Sequence, residues 1–255
     1  MPTALITGGA RRIGAAIATE LAAQGFDIAL HYNSSSSEAD ALAETLRASG
    51  IRCETFRSGF TSQADLIEMM DRIEASLGPL DLLVNNASAF FNDEITEIDE
   101  AQFDTHLMVN LKAPIFLASA MARQNHSGNR LIVNMLDNKL FALNPDFLTY
   151  TLSKSALHTS VEMLSRKLAG QIRVCGIAPS ITLISGKQSV ENFEKSRRIN
   201  PLERAVSVED IARTVTHLWQ NDGLNGEVIL LDGGQALWHL PRDVAFYVKD
   251  GTYHG

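Results

Sequence analysis

The run TALITGGARRIGAAIATELAAQGFDIALHY, residues 3–32, decides the fold. It opens on a short apolar stretch, residues 3–7, too brief for a helix and followed by glycine, which reads as a buried strand. The segment TGGARRIG, residues 7–14, then makes a tight turn, and behind it Ile13, Ile17 and Leu21 recur at helical spacing. A second apolar run, residues 26–32, completes a strand–turn–helix–strand unit.

The same alternation continues to the end of the chain. Further strands are predicted at 51–57, 80–84, 130–135, 172–177 and 228–231. Between them lie amphipathic helices, with stripes at Leu66, Met69, Met70, Ile73 and Leu77 and at Leu157, Val161, Leu164 and Leu168. Alternating strands and helices imply an α/β fold of the doubly wound, Rossmann type: a parallel sheet of about seven strands with helices on both faces. No linker, repeat or low-complexity tract interrupts the pattern, so residues 1–255 are expected to form a single domain. The four serines at 34–37 read as the cap and turn before a helix. The stretch 179–201 lacks a clear period, and loops of that length often bind substrate, so a substrate loop is expected at about 180–203. The tail at 235–255 is rich in aromatics and is expected to pack on a neighbouring subunit.

Composition bounds the function. Of 255 residues, 45% are hydrophobic and 20% charged, as in ordinary globular proteins rather than disordered ones. The formal net charge of -8 offers no basic footprint for nucleic acid or an anionic membrane. Cys53 and Cys175 fall inside apolar runs and read as buried free thiols. The first residues lack the pattern of a secretory signal, and no apolar run is long enough to span a membrane, so the expected location is cytoplasmic. The seven histidines are not spaced as metal ligands, and no metal is expected.

Two segments carry chemistry. In residues 7–14, glycines allow a pyrophosphate to approach a helix N-terminus, where free N–H groups and the helix dipole favour an anion. An acid at the end of the second strand would select NAD by binding its ribose hydroxyls. Here the strand ends HYNSSSS, and Asp27 sits at its beginning. Arg11, Arg12, Asn33 and Ser34 instead suit a 2′-phosphate, so NADPH is expected over NADH. The second segment, NMLDNKLFALNPDFLTYTLSK, residues 134–154, holds Tyr150 and Lys154 four apart, and Asp137 thirteen before the tyrosine. Positions i and i+4 share a helix face, so an ammonium at Lys154 can sit beneath the phenol and favour its ionised form.

With NNAS at 85–88, Asn110 and LDGG at 231–234, these landmarks resemble the short-chain dehydrogenase/reductase family over nearly the whole chain. The resemblance implies a homotetramer or homodimer acting on a small molecule. It implies a cofactor across the carboxyl ends of the strands, held by Gly8, Arg11, Arg12, Ile13, Tyr32, Asn33, Ser34, Asn86, Ala87, Ser88, Tyr150, Lys154, Pro179 and Ser180. Tyr150 would be the acid/base. Lys154 would hold the nicotinamide ribose and lower the tyrosine pKa, and Asn110 would position a proton-relay water.

One departure is informative. Where the family pattern has a carbonyl-binding serine, this chain has Asp137, and an ionised carboxylate would repel the oxyanion of a reacting ketone. It suits a nitrogen heterocycle, whose N–H groups donate to it. Asp137, TGGARRIG, HYNSSS and NNASAFF are similar to the pteridine reductase and dihydromonapterin reductase branch. By that likeness Ser88 would contact a pterin and Phe90 would stack on it, with Asp137 and Tyr150 completing the substrate site. Arg204 matches an arginine of that branch or is a surface residue. Ser180 stands where most of the family has glycine, and Gly59 where an aspartate commonly touches the adenine. Two other readings stay open: a reductase of a ketone or 3-oxoacyl substrate, and a catalytically idle NADP(H)-binding sensor.

Overall fold

Alternating side chains on each strand feed two apolar layers, and this is what builds the fold. A computed structural model of the chain describes residues 1–184, 186, 188–249 and 251. In β1 (Thr3–Ile6), Ala4 and Ile6 join one core and Leu5 the other, as the period of two in a strand requires. β2 (Asp27–Tyr32) splits likewise, Ile28 and Leu30 to one side and Ala29 to the other.

The first core is covered by α1 (Arg12–Ala23) and α2 (Ser36–Ala48), which supply Ile17, Leu21, Ala39, Ala43 and Leu46. After β3 (Cys53–Arg57), α3 (Gln63–Leu77) crosses to the opposite face and buries the predicted stripe of Leu66, Met69, Met70, Ile73 and Leu77. The Ser62 hydroxyl caps α3 by accepting from the Asp65 N–H. Each large side chain removed fully from water there contributes about 1.5–3 kcal/mol.

Beyond β4 (Leu82–Asn85) come α4 (Glu100–Leu107), one turn of π-helix at Met108–Lys112, and α5 (Ala113–Arg123). β5 (Leu131–Met135) leads to α6 (Leu148–Lys167), which carries Tyr150 and Lys154 on its first turns. β6 (Arg173–Pro179) runs two residues past its predicted end. The stretch without a clear period contains a short helix, α7 (Val190–Ser196), capped by Ser189. α8 (Val208–Gln220) starts in a capping box of Ser207 and Asp210 and returns to the first core beside α1. β7 (Val228–Leu231) is followed by a turn and α9 (Val244–Lys249).

The seven strands are all parallel, in the order β3-β2-β1-β4-β5-β6-β7. The order reverses between β1 and β4, where Ala4 pairs with Leu82, and such a switch point opens a crevice at the carboxyl ends of the strands. Cys53 and Cys175 are free and buried. Among the described residues, no helix is long and apolar enough to cross a membrane.

Over its described part the tail makes contacts within this chain: the Asn192 side chain donates to the Ala245 carbonyl at 2.9 Å, and Phe246 stacks on Phe147 with centroids 5.5 Å apart. Residues 252–255 lie outside the described residues.

Candidate active site

The glycine turn is fixed from two sides. The Thr7 hydroxyl accepts from the Asn86 and Ala87 N–H groups, both at 2.9 Å, and the Asn86 amide donates to the Thr7 carbonyl at 2.8 Å. From the other side, the Gly8 N–H donates to His31 Nδ1 at 3.0 Å, while His31 Nε2–H donates to the Ser58 carbonyl at 3.0 Å. His31 also stacks on Phe60, and burial lowers its pKa to about 4, so it is a neutral strut. A Cβ on Gly14 would lie 2.2 Å from the Gly8 carbonyl oxygen, so the turn closes this tightly only around glycine.

Arg12 takes a left-handed conformation, φ 57°, and its guanidinium donates to the Ile184 carbonyl at 2.9 Å, across the mouth of the crevice. Arg11 is exposed and faces Glu38 at 3.7 Å. Asp27, the acid at the wrong end of β2, is buried and bound by Arg52 at 2.7 Å, a structural pair rather than a ribose ligand.

Asn110 sits fully buried in the π-helical turn. Its Oδ1 accepts from the Ala89 N–H at 2.8 Å and the Ser88 hydroxyl at 3.2 Å, and its amide donates to the Ala89 carbonyl and Ser153 hydroxyl. The side chain is therefore spent on holding residues 88–89 and does not line the crevice. His106 fixes the next residues: its Nε2 accepts from the Phe91 N–H at 3.1 Å, and its Nδ1 meets the Thr149 hydroxyl at 2.8 Å.

Tyr150 and Asp137 meet between β5 and α6. The Tyr150 hydroxyl donates to Asp137 Oδ2 at 2.8 Å, and Asp137 Oδ1 accepts from the Lys139 N–H at 2.9 Å. Lys154 Nζ is 5.9 Å from the centre of the Tyr150 ring and donates to the Met135 carbonyl at 2.7 Å. The expected lowering of the Tyr150 pKa does not appear. Burial, followed by the charge of Asp137 and the hydrogen bond to it, raises the phenol well above its ordinary value. Burial brings Lys154 down to about 8, against the pull of Asp137.

Aromatic rings wall this end. Phe90 stacks on Phe147 at 4.5 Å and meets Tyr150 edge-on at 4.7 Å. Phe147 holds φ 56° at the start of α6, an uncommon conformation that costs about 1–2 kcal/mol and clusters at functional sites. Lys139 and Asp243, not singled out from the sequence, also line the crevice. Only their neighbours in sequence, Asp137 and the aromatic tail, offered a signal for them.

The crevice encloses about 790 Å³. It brings together Gly8, Arg11, Arg12, Ile13, Tyr32, Asn33 and Ser34 at one end and Asn86, Ala87, Ser88, Phe90, Asp137, Tyr150, Lys154, Pro179 and Ser180 toward the other. Gly59 lines it beside Ser58 and Phe60, while Arg204 is exposed and outside it. A phosphorylated dinucleotide fits this donor set: helix N–H groups behind a glycine cradle, two guanidinium groups and several hydroxyls at the end of β2.

Comparison with known proteins finds relatives along nearly the whole chain. A family model described as enoyl-(acyl carrier protein) reductase matches residues 8–236. A short-chain dehydrogenase/reductase of Aspergillus novofumigatus is 30% identical, over 91% of this chain and 95% of its own. Pteridine reductase 1 of Leishmania tarentolae is 29% identical, over 92% of this chain and 96% of its own. The crystal structure of the alternative dihydrofolate reductase FolM from Brucella canis, complexed with NADP, superposes with a TM-score of 0.89. It is 40% identical and covers 92% of this chain and 94% of its own.

Proposed function

The chain belongs to the short-chain dehydrogenase/reductase family, and from that premise we propose that it is an NADPH-dependent reductase that transfers a hydride to a pterin-type substrate. The substrates are dihydropterins such as dihydromonapterin or dihydrobiopterin, with dihydrofolate as a further candidate. The observation that carries this reading is the phenol of Tyr150 donating to the carboxylate of Asp137 in a crevice walled by Phe90.

NADPH supplies the hydride when bound. Gly8, Arg12 and Ile13 would receive its pyrophosphate, and Arg11, Tyr32, Asn33 and Ser34 its 2′-phosphate. Asn86, Ala87, Ser88, Pro179 and Ser180 would flank its nicotinamide end. Asn110 would hold residues 88–89 in position.

A carboxylate offers about four lone-pair positions, and Asp137 uses two of them on Tyr150 and the Lys139 N–H. The remaining two can accept the ring N–H and amino groups of a flat heterocycle lying on Phe90, an offset stack contributing about 1 kcal/mol. Tyr150 is kept as a neutral phenol, so it holds a proton for the nitrogen of the ring C=N bond whose carbon receives the hydride. With a pKa of about 8, Lys154 is cationic at neutral pH and stabilises the tyrosinate left behind by that transfer. A ketone oxygen in the same position meets the Asp137 carboxylate, which repels the alkoxide that would form on it.

The test is NADPH oxidation by the purified protein with dihydropterins, dihydrofolate and ketones side by side. Turnover of pterins is expected; turnover of ketones alone would overturn the proposal. Changing Asp137 to Ser should lower pterin turnover by about tenfold or more, the size of lost hydrogen bonds to a charged group. A 3-oxoacyl or ketone reductase would tolerate that change. The enzyme is proposed to act as a homotetramer or homodimer, so light scattering should find four or two chains per particle, and a monomer would count against it.

A further inference from the structure

Beside the Tyr150/Asp137 pair the crevice contains a second polar group that the chemistry above does not use. Lys139 is only 7% exposed, lines the crevice, and its ammonium has no hydrogen-bond partner among the described residues. Asp243 Oδ2 lies 3.8 Å away, beyond hydrogen-bond range, and the Phe147 ring centre lies 5.0 Å away. An ammonium carries three donors, and burying all three unused is costly unless a ligand takes them.

Asp243 stands on the same wall, brought there by the tail. Its Oδ1 accepts from the Ala245 N–H at 3.0 Å, while Oδ2 faces Lys139. The lysine thus offers donors and the aspartate an acceptor, side by side.

The surrounding charge says what such a pair can bind. Asp243, Asp137, Asp146 and Asp93 all act on the Lys139 ammonium. Arg242 is committed to both oxygens of Asp146 at 3.0 Å. With Lys154 beside Asp137 there are three cations against these four carboxylates, so an anionic group brought to Lys139 meets net repulsion. A neutral hydroxyl avoids it, accepting from Lys139 and donating to Asp243.

We propose that Lys139 and Asp243 form a subsite for a neutral, hydroxyl-bearing side chain on the heterocyclic substrate, selecting such substrates over those with a carboxylate tail. The inference rests on the pterin reading above and goes further by assigning specificity to two residues outside the reactive pair.

The experiment is steady-state kinetics at saturating NADPH with dihydrobiopterin, 6-methyldihydropterin and dihydrofolate, on the wild-type protein and on Lys139→Met and Asp243→Asn. The wild type should show a KM about tenfold lower for the hydroxylated pterin than for the methyl one, the size expected for a hydrogen bond to a charged group. Lys139→Met should raise KM for dihydrobiopterin about tenfold with little change in kcat, and leave 6-methyldihydropterin unaffected. Asp243→Asn should improve binding of dihydrofolate, because it removes one repelling charge. Equal KM values for the two pterins in the wild type would overturn the subsite while leaving the pterin reading intact. So would a Lys139→Met effect of the same size on both pterins, or a dihydrofolate KM below that of dihydrobiopterin. Absence of turnover with every pterin would overturn both.

Discussion

Tyr150 donates its only proton to Asp137, and on the pterin reading proposed above this bond is what would separate the chain from a carbonyl reductase. Tyr150→Phe keeps the ring against Phe90 and removes the proton. Turnover should fall roughly 10²–10⁴-fold, with NADPH affinity by fluorescence titration changing far less; retained turnover would remove Tyr150 from the chemistry. His31 makes a prediction in pH. Its folded pKa of about 4 lies below the ordinary 6.5, so the stability held by the neutral ring is complete above about 6.5 and is lost as pH falls toward 4. At roughly 1.4 kcal/mol per pKa unit, the loss approaches 3 kcal/mol. Chemical denaturation should show it in the wild type and not in His31→Gln, and parallel pH profiles would refute the strut. Asp137, Tyr150 and Lys154 were legible because their spacing is local. Lys139 and Asp243 were not, since nothing in either neighbourhood says that the tail returns to the end of β5.

Strands and helices were legible because period-two and helical stripes survive in the sequence wherever one face is buried. The differences lie where burial gives no period. α7 has seven residues and buries only Phe193 and Ser196, too few to mark a stripe. The π-helical turn around Asn110 is set by hydrogen bonds to residues 88, 89 and 153 from other elements. At this scale the glycine turn makes the sharpest prediction. In Gly14→Ala the new methyl would approach the Gly8 carbonyl to 2.2 Å and Asn86 Nδ2 to 2.8 Å, so the turn must shift. NADPH affinity should drop about tenfold or more, and an unchanged dissociation constant would show that the turn does not hold the cofactor.

For the whole molecule, cofactor binding should appear as global stability, because the crevice draws on both halves of the sheet. At a hundred times its dissociation constant NADPH should add about 2.7 kcal/mol to unfolding. For a chain of this size that raises the melting temperature by roughly 5–10 °C. NADH at the same concentration should add less, and Arg11→Ala with Arg12→Ala should erase the difference; equal shifts from both cofactors in the wild type would reject the 2′-phosphate site. The sequence alone determined the parallel α/β architecture, because strand and helix periods are local, and it offered the glycine turn and Asp137, Tyr150 and Lys154 as candidates, through spacing together with their resemblance to a known family. Only the tertiary structure decided that Asn110 is spent on residues 88–89 and that Tyr150 stays a phenol. It alone brought the tail to Lys139. Those outcomes depend on burial and on contacts between segments far apart in the chain, and desolvation is a property of the packed molecule that no local pattern encodes.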